Sequence, residues 1–485
     1  MTPPEGIAVG LDLGTSSLKA IAVELGSGRV LFRERQPYPT HRPELGAAEQ
    51  APQDWMAAAI GALARLAAAT GAERWVGIGL SAMLPTLVCL DADGEPVGNA
   101  IVWEDTRAEA EAEWLRQEHP AAVAYQRTGQ QFDGRYLVPM YLRLREQDAE
   151  VAARTTRLAG AKDYLFEQLT GELLTDPSTA AGSGVYDLTT GDYATGPWPE
   201  LPPVVPSTAS RGLEVGVARL IGVRAGIPVA LGGADSVLGA EALGTRPGLD
   251  VAIISGTSTV VLGTHTELEI HPDGRALVTP LARSGYGLEM DLVATGSAFQ
   301  WLANLTGAAS VADLIAEAIE VDHLAAPSVL PYLGPGEQGA LWEPNIFASI
   351  QGLTLGTSRG ALMRGLLTGV VLELRRCILA ISASDEGRII ASGSSLTSPQ
   401  ILQDLADACG REVLADVGDA DHSALGAIDA LLEGIGIPLP ERSTERSRFT
   451  PSADHTVLWQ KLASRHEGDL GRERERVATT REAAQ

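Results

Sequence analysis

Cysteine is scarce in this sequence, and its spacing excludes two common kinds of site. The three cysteines among 485 residues are Cys89, Cys377 and Cys409. No two of them share the CxxC spacing of zinc and redox motifs, so the pattern argues against both. A small, odd number of cysteines is typical of a reducing compartment, and we expect a cytoplasmic protein.

Long apolar runs and basic segments are also missing. No stretch reaches the roughly 18 uninterrupted apolar residues of a membrane-spanning helix. The N-terminal segment MTPPEGIAVGLDLG has neither the basic region nor the long apolar region of a signal peptide. The net charge of −25 argues against broad binding to nucleic acid or to an anionic membrane. We therefore expect neither partner.

Several widespread nucleotide-binding and catalytic motifs are absent. The sequence has no GxxxxGK[ST] phosphate loop, no HRD and DFG pair and no HExxH zinc motif. If this chain handles phosphate, it must use a different kind of turn.

The residues that are present indicate an α/β protein of more than one domain. Hydrophobic residues make up 45% and charged residues 20%, an ordinary globular composition. At roughly 100–200 residues per domain, the length suggests two to four domains. Short apolar runs such as residues 7–13 predict strands, and they alternate with segments of helical spacing such as residues 143–153.

A Gly- and Pro-containing break divides the sequence near its middle. The segment GTRPGLD occupies residues 244–250. We predict an N-terminal domain over residues 1–246 and a C-terminal domain over residues 247–440. Residues 441–485 are expected to hold a C-terminal helix that ends near residue 465, followed by a frayed tail, because the end of the chain is charged and weakly patterned.

The segment GLDLGTSSLKA places a tight turn between two apolar runs. Phosphate binding needs backbone N–H groups in a concave turn together with hydroxyl donors. Gly14 allows close backbone approach, while Thr15 and Ser16 supply hydroxyls. Asp12 is a candidate ligand for the magnesium ion that accompanies ATP, and Lys19 adds positive charge. An ordinary solvated hairpin has the same pattern, so this segment alone does not decide its role.

A similar segment, VAIISGTSTVVLGT, opens the second half of the sequence at residues 251–264. Gly256, Thr257 and Ser258 offer the same chemistry as the first turn. Two such hairpins facing each other across a cleft would hold a triphosphate between them. The repetition indicates that the two halves are duplicates of one ancestral unit.

Three further turns lie where a strand or loop meets a helix. Asp235 ends the run GGAD, and it is either a helix N-cap or a general base that takes a proton from a substrate hydroxyl. Phosphoryl transfer depends mainly on positioning and charge neutralisation, so one such base suffices. Gly296, Gly393 and Ser394 also precede helical segments, where backbone N–H groups bind phosphate.

These segments, in this order, resemble the FGGY carbohydrate kinases, the family of xylulokinase, gluconokinase and glycerol kinase. The resemblance runs from about residue 6 to residue 435. Besides the two hairpins and the Asp235 segment, it includes IVWEDTRA at 101–108, AKDYLFEQLTGELLTDPSTAAGSGVYDL at 161–188, LPYLGPGEQGALWEPNIFASIQGLTLGTSRGALMRGLLTGV at 330–370 and RIIASGSSLTSPQILQDLADACGREV at 388–413.

The resemblance implies two actin-like (ribonuclease-H-like) domains with ATP, Mg²⁺ and a small sugar, polyol or sugar acid in the central cleft. It implies that Asp235 is the catalytic base and contacts substrate, and that Trp103, Asp105 and Arg107 also bind substrate. Asp12 is implied as the metal ligand. The implied nucleotide-binding residues are Gly14, Thr15, Ser16, Lys19, Gly256, Thr257, Ser258, Gly296, Gly393 and Ser394.

The substrate side departs from the family pattern. Leu84 and Pro85 stand where xylulokinases and gluconokinases usually carry Met and His, which removes a hydrogen-bonding imidazole. Ser394 and Ser395 replace glycines of the nucleotide loop, and Met140 replaces a common Lys. A xylulokinase-like pentulose kinase is favoured over a gluconokinase-like enzyme, and the sequence leaves the acceptor open.

Two alternatives come from other functional classes. One is a catalytically silent regulator that binds a sugar or nucleotide on the same fold, and the substrate-side departures favour it. The other is an actin-like or chaperone-like ATPase, against which the segments at 101–108 and 161–188 speak. The resemblance also suggests a homodimer by analogy, although the sequence itself does not indicate an oligomeric state.

Overall fold

The computed structural model describes residues 5–118, 121–271, 273–334, 336–382, 384, 386–416, 421–442 and 445–484. Within them the strands are β1 (Ile7–Leu13), β2 (Ser17–Glu24), β3 (Val30–Pro37), β4 (Glu49–Gln50), β5 (Trp75–Ala82), β6 (Thr86–Leu90), β7 (Ala100–Val102), β8 (Arg157–Ala159), β9 (Ser210–Gly212), β10 (Pro228–Ala234), β11 (Val251–Ser255), β12 (Thr259–His265), β13 (Leu277–Pro280), β14 (Tyr286–Leu292), β15 (Ser328–Leu330), β16 (Ser349–Gln351), β17 (Ile389–Gly393), β18 (Val413–Asp416) and β19 (Arg446–Phe449).

The helices over the same residues are α1 (Pro52–Thr70), α2 (Glu109–Glu118), α3 (Ala121–Thr128), α4 (Leu137–Gln147), α5 (Ala149–Arg154), α6 (Ala161–Thr170), α7 (Pro177–Ala181), α8 (Val215–Ile221), α9 (Asp235–Ala242), α10 (Gly296–Thr306), α11 (Val311–Ile319), α12 (Arg359–Ile381), α13 (Pro399–Cys409), α14 (His422–Gly434) and α15 (Thr456–Ala484). No single helix of the described chain is long and apolar enough to cross a bilayer; α10 and α11 together meet that test, but they bend by 88°.

Two large sheets repeat one arrangement of strands. The first has the order β3-β2-β1-β5-β10-β9, and the second has the order β13-β14-β12-β11-β17-β18-β19. In each, the first strand of its half pairs antiparallel with the next strand and parallel with a later one: β1 with β2 and β5, and β11 with β12 and β17. The duplication that the two hairpins indicate is therefore present in the sheet topology.

The central strand of the first sheet is buried along its whole length. All seven residues of β1, IAVGLDL, are buried, which is typical of a strand covered by helices on both faces. On one face lies α1, which presents Trp55, Ala59, Leu63 and Leu66 at helical spacing to the core. Because β1 itself is covered, a ligand can reach this strand at the polar turn that follows it.

The opposite face of the first sheet is covered by a helix from the second half of the chain. Helix α14 packs against β1, β5, β10 and α9. The close approach requires glycine, since a Cβ added at Gly79 would lie 2.0 Å from the carbonyl oxygen of Ala427. The helix thus links the two halves, while the domain limits 1–246, 247–440 and 441–485 stay a prediction.

Two sequence-based expectations differ from the structure. The helix expected over 143–153 is divided between α4 and α5, because the Asp148 carboxylate caps the second helix by accepting from the backbone N–H groups of Glu150 and Val151. The frayed tail is wrong for residues 466–484, which continue α15. Two side chains of this charged helix, His466 and Leu470, are buried against the rest of the chain, and that packing stabilises the helix. Gln485 lies outside the described residues.

Candidate active site

Two adjoining cavities lie where the turns of both sheets meet. The large cavity measures about 730 Å³ and the small cavity about 190 Å³. The predicted site residues that line the large cavity are Asp12, Gly14, Thr15, Ser16, Lys19, Trp103, Asp235, Gly256, Thr257, Ser258, Gly393 and Ser394. The residues that line both cavities are Thr15, Trp103, Asp235, Ser236, Ser258 and Val260.

The first hairpin turn, between β1 and β2, is held by hydrogen bonds from behind. The backbone N–H of Gly14 donates to the carbonyl of Ser17 at 3.2 Å, and the Tyr38 hydroxyl donates to the carbonyl of Gly14. Trp103 Nε1 donates to Thr15 Oγ1 at 2.9 Å. These contacts fix the backbone of the turn and leave the Ser16 side chain exposed towards the large cavity.

The second hairpin turn, between β11 and β12, is supported by neighbouring segments. The N–H of Gly256 donates to the carbonyl of Ser258 at 2.7 Å, and the N–H of Gly296 donates to the carbonyl of Gly256 at 3.2 Å. The Ser395 hydroxyl donates to that same Gly256 carbonyl. Gly296 therefore supports the second hairpin and does not itself line the large cavity.

Gly393 brings a third segment against the second hairpin. Its φ is +108°, in the region that favours glycine. A Cβ at this position would lie 1.9 Å from the carbonyl oxygen of Ser255. The next N–H, that of Ser394, donates to the same carbonyl at 2.8 Å, so this glycine sets where Ser394 meets the cavity.

A buried carboxylate and a lysine face each other behind the first hairpin. Asp12 is 5% exposed, and it accepts from Ser81 Oγ at 3.0 Å. Burial raises the pKa of Asp12, although Lys19 and Ser81 oppose the change. Lys19 Nζ lies 3.8 Å from Asp12 Oδ2 and 3.5 Å from Asp421 Oδ1. Burial opposes its charge, but these two carboxylates outweigh burial and raise the pKa of Lys19.

Asp235 occupies the boundary between the two cavities. It is the first residue of α9, and Ala234 is the N-cap, so the alternative role of Asp235 as N-cap does not hold. Its Oδ1 accepts from the N–H of Ser236 at 2.8 Å. Burial and then the negative charge of Asp12 raise the pKa of Asp235 to about 7. A carboxylate with this pKa accepts protons effectively near neutral pH.

The comparison with protein families decides which reaction class this site serves. Residues 7–242 match the N-terminal domain of the FGGY family of carbohydrate kinases, and residues 251–431 match its C-terminal domain. The chain is an FGGY carbohydrate kinase. The family resemblance found in the sequence is confirmed, and the chain is a phosphotransferase that acts on carbohydrates.

This FGGY kinase is about equally similar to a gluconokinase and to a xylulose kinase. The gluconokinase of Bacillus subtilis (strain 168) is 25% identical over 442 residues, covering 86% of each chain. The xylulose kinase of the same organism is 26% identical over 443 residues, covering 88% of each chain. Overall identity therefore does not distinguish a pentulose from a sugar acid as the acceptor.

Solved structures confirm the expected two-domain, actin-like fold. The xylulose kinase from Rhodospirillum rubrum has a TM-score of 0.87 and 27% identity, covering 97% of this chain and 99% of that one. The gluconate kinase from Lactobacillus acidophilus has the same TM-score at 21% identity, and at that identity it supports the fold alone.

Two residues predicted to bind substrate lie away from both cavities of this FGGY kinase. Asp105 is 2% exposed, and it pairs with Arg107 at 2.7 Å. Arg107 also pairs with Glu44 and Glu49 at 2.9 and 2.8 Å. Asp105 further accepts from the N–H of Ala48 at 2.9 Å. These side chains stabilise the segment that carries Trp103, which is the member of this group that reaches the cavities.

The small cavity contains charged residues that the sequence analysis missed. Arg135, Glu289 and Asp291 line it, together with apolar side chains that include Leu84 and Pro85. A signal for two of them was present, because Glu289 and Asp291 interrupt the otherwise apolar strand segment YGLEMDL. Acidic residues are rarely buried in a strand unless they have a partner or a role, so these two could have been noticed. Arg135 lies in a loop, where no such pattern marks it.

Proposed function

We propose that this kinase transfers the γ-phosphoryl group of ATP to a hydroxyl of a small sugar or polyol, with a pentulose favoured. The observation that carries the proposal is the position of Asp235, which lies between a cavity lined by both hairpins and a smaller cavity lined by polar and apolar side chains. ATP would occupy the large cavity with its phosphates between the hairpins, and the acceptor would occupy the small cavity.

In the proposed reaction, Asp235 takes the proton from the acceptor hydroxyl. The freed oxygen attacks the γ-phosphorus, and the bond from that phosphorus to the bridging oxygen of ADP breaks. Backbone N–H groups and hydroxyls at Thr15 and Ser258 would stabilise the charge on the transferred group. Lys19, which lines the large cavity beside the first hairpin, adds a positive charge there.

Mg²⁺ would enter as part of the ATP substrate. Among the described residues no group of three or more His, Cys, Asp or Glu side chains is arranged to hold a metal. Mg²⁺ is commonly held by one or two carboxylates together with phosphate oxygens and water. Asp12 lines the large cavity with an oxygen ligand of the right kind, and an Asp12→Asn variant should need more Mg²⁺ for half-maximal rate.

The direct test is ADP release measured over a panel of pentuloses, polyols and aldonates. We expect at least one pentulose or polyol to raise ADP release well above the rate with ATP alone. ADP release that no member of the panel raises above the rate with ATP alone would contradict the proposal. Negligible ADP release throughout would favour the silent binding protein, and substantial acceptor-independent release would favour the actin-like ATPase.

A gluconokinase-like activity is the second candidate. The observation that favours it is Arg135, a cation in the wall of the small cavity, because guanidinium groups bind carboxylates well. The same acceptor panel separates the two candidates.

A further inference from the structure

Two carboxylates project from one strand into the small cavity. Glu289 and Asp291 are two residues apart on β14, and such residues lie on the same face of a strand. Both line the small cavity. Because β14 belongs to the second sheet and Asp235 follows the first, the pair faces the candidate base from the opposite side of the cleft.

Glu289 is positioned by a contact that joins the two halves. Ser236, the residue after the candidate base, donates from Oγ to Glu289 Oε2 at 3.0 Å. Glu289 is 9% exposed. One carboxylate oxygen is therefore held in place beside the candidate base, while the residue still lines the cavity and can accept another hydrogen bond there.

Asp291 has an unused hydrogen-bond acceptor. Its Oδ1 is buried and has no hydrogen-bond partner within the described residues. A buried polar atom normally has a partner. Asp291 lines the small cavity and also a neighbouring cavity that includes Glu337, and a hydroxyl of an acceptor in the small cavity would supply a donor for this carboxylate.

The small cavity is lined by more acidic than basic side chains. Among the described residues that line it, the only guanidinium is that of Arg135, which donates from Nε and Nη2 to the Asp133 carboxylate at 3.0 and 3.1 Å. The same cavity is lined by three acidic residues, Asp235, Glu289 and Asp291. Burial, and then the charge of Asp291, raise the pKa of Glu289 well above its usual range. Burial raises the pKa of Asp291 to about 6, although Arg135 opposes the change.

We propose that Glu289 and Asp291 bind the hydroxyl groups of an uncharged polyhydroxy acceptor and discriminate against acceptors that carry a carboxylate. The inference rests on the kinase activity proposed above and adds a selection rule to it. Carboxylate oxygens accept strong hydrogen bonds from hydroxyls. A carboxylate on the acceptor would instead meet the negative charge of Asp291 in a partly desolvated site, where repulsion is strong.

The test compares neutral and acidic acceptors of equal chain length. Pentuloses and pentitols are compared with the corresponding aldonates, and kcat/KM is measured for each with the wild type, Glu289→Gln, Asp291→Asn and the double variant. Glu317→Gln is the matched control, because Glu317 belongs to the same half and forms an exposed pair with Arg359. It should leave acceptor selectivity unchanged.

We expect the wild type to prefer neutral acceptors by about 100-fold or more at pH 8, where Asp291 is ionised and repels an acceptor carboxylate in a desolvated site. Asp291→Asn should reduce that preference about 10-fold, and the double variant should reduce it further. The KM for neutral acceptors should rise and the KM for aldonates should fall, a divergence that general loss of structure would not produce.

The inference is overturned if the wild type uses aldonates as well as neutral acceptors, since Arg135 would then be the dominant contact. It is also overturned if the variants change both acceptor classes equally. If no acceptor of either class raises ADP release, the proposed kinase function fails instead. Calorimetric binding of a pentitol and its aldonate to wild-type protein and Asp291→Asn then still tests the carboxylate pair, because binding needs no turnover.

Discussion

The large and small cavities meet at Asp235, but they are built in different ways. The large cavity is lined mainly by two short turns and a glycine segment, each formed by residues adjacent in sequence, and is completed by separate residues such as Trp103 and His422. The small cavity is lined by single side chains from distant segments, including Leu84, Arg135 and Asp291. Binding a phosphate chain needs backbone N–H groups, which a local turn can supply. Recognising one acceptor among many needs side chains placed individually, which only the assembled fold supplies.

The largest expected effect comes from Asp235, one of the residues that line both cavities. Asp235→Asn should lower kcat by roughly 10³-fold, because general base catalysis typically contributes 10²–10⁴-fold. Binding of ATP and of the acceptor, measured by ligand-induced thermal shift, should be retained. Asp93→Asn is the matched control, since Asp93 is exposed in a turn. A variant with unchanged kcat would remove Asp235 from the reaction.

A second prediction concerns pH. Because the pKa of Asp235 is raised to about 7, kcat/KM for ATP, supplied as its Mg²⁺ complex, should fall about 10-fold per unit below pH 7 and level off above it. An aspartate with an ordinary pKa of about 3.9 would give a flat profile over that range. Folding raises this pKa, so the contribution of Asp235 to the free energy of unfolding is present at about pH 4 and lost towards pH 7.

A third prediction separates the two cavities. Gly393→Ala should raise the KM for ATP roughly 10-fold, while the KM for the acceptor changes less. The new Cβ would meet the Ser255 carbonyl, and a positive φ costs a non-glycine residue about 1–3 kcal/mol. Gly471→Ala serves as the control, because nothing lies within 4 Å of a Cβ there. Equal changes in both KM values would mean that the cavities are not independent.

The smallest kinetic effect is expected at the ion pairs behind Trp103. Arg107→Gln should lower the free energy of unfolding by about 1–3 kcal/mol, because it removes charged hydrogen bonds from the buried Asp105. The KM for the acceptor should change by less than about threefold, since Arg107 lines neither cavity. Urea titration and acceptor kinetics measure the two quantities. A tenfold rise in acceptor KM in fully folded protein would restore Arg107 to the substrate site.

The sequence predicted most of what local segments determine. The turns at Gly14 and Gly256 were recognised because a glycine with hydroxyl residues between two apolar strands forms the same turn wherever it occurs. The family resemblance implies that Trp103 binds substrate, and Trp103 does line both cavities. Its neighbours Asp105 and Arg107 turn away into an ion-pair network. Motif proximity does not specify which way each side chain faces.

The tail and the small cavity show the limits of prediction for the same reason. Residues 466–484 have a charged sequence, and their helix depends on burying His466 and Leu470 against another part of the chain. Glu289 and Asp291 belong to the site only because the fold places β14 opposite the start of α9, so that they line the same cavity as Asp235.

By itself, the sequence determined the two-domain kinase fold, the two glycine hairpins and the position of Asp235 after its strand. Each of these depends on residues that are close in sequence or on patterns repeated along it. The tertiary structure alone decided that Asp235 begins α9 with a raised pKa, that Asp105 and Arg107 support rather than line the site, and that Glu289 and Asp291 line the small cavity. Those outcomes depend on burial and on charges brought together from distant segments, which no local pattern encodes.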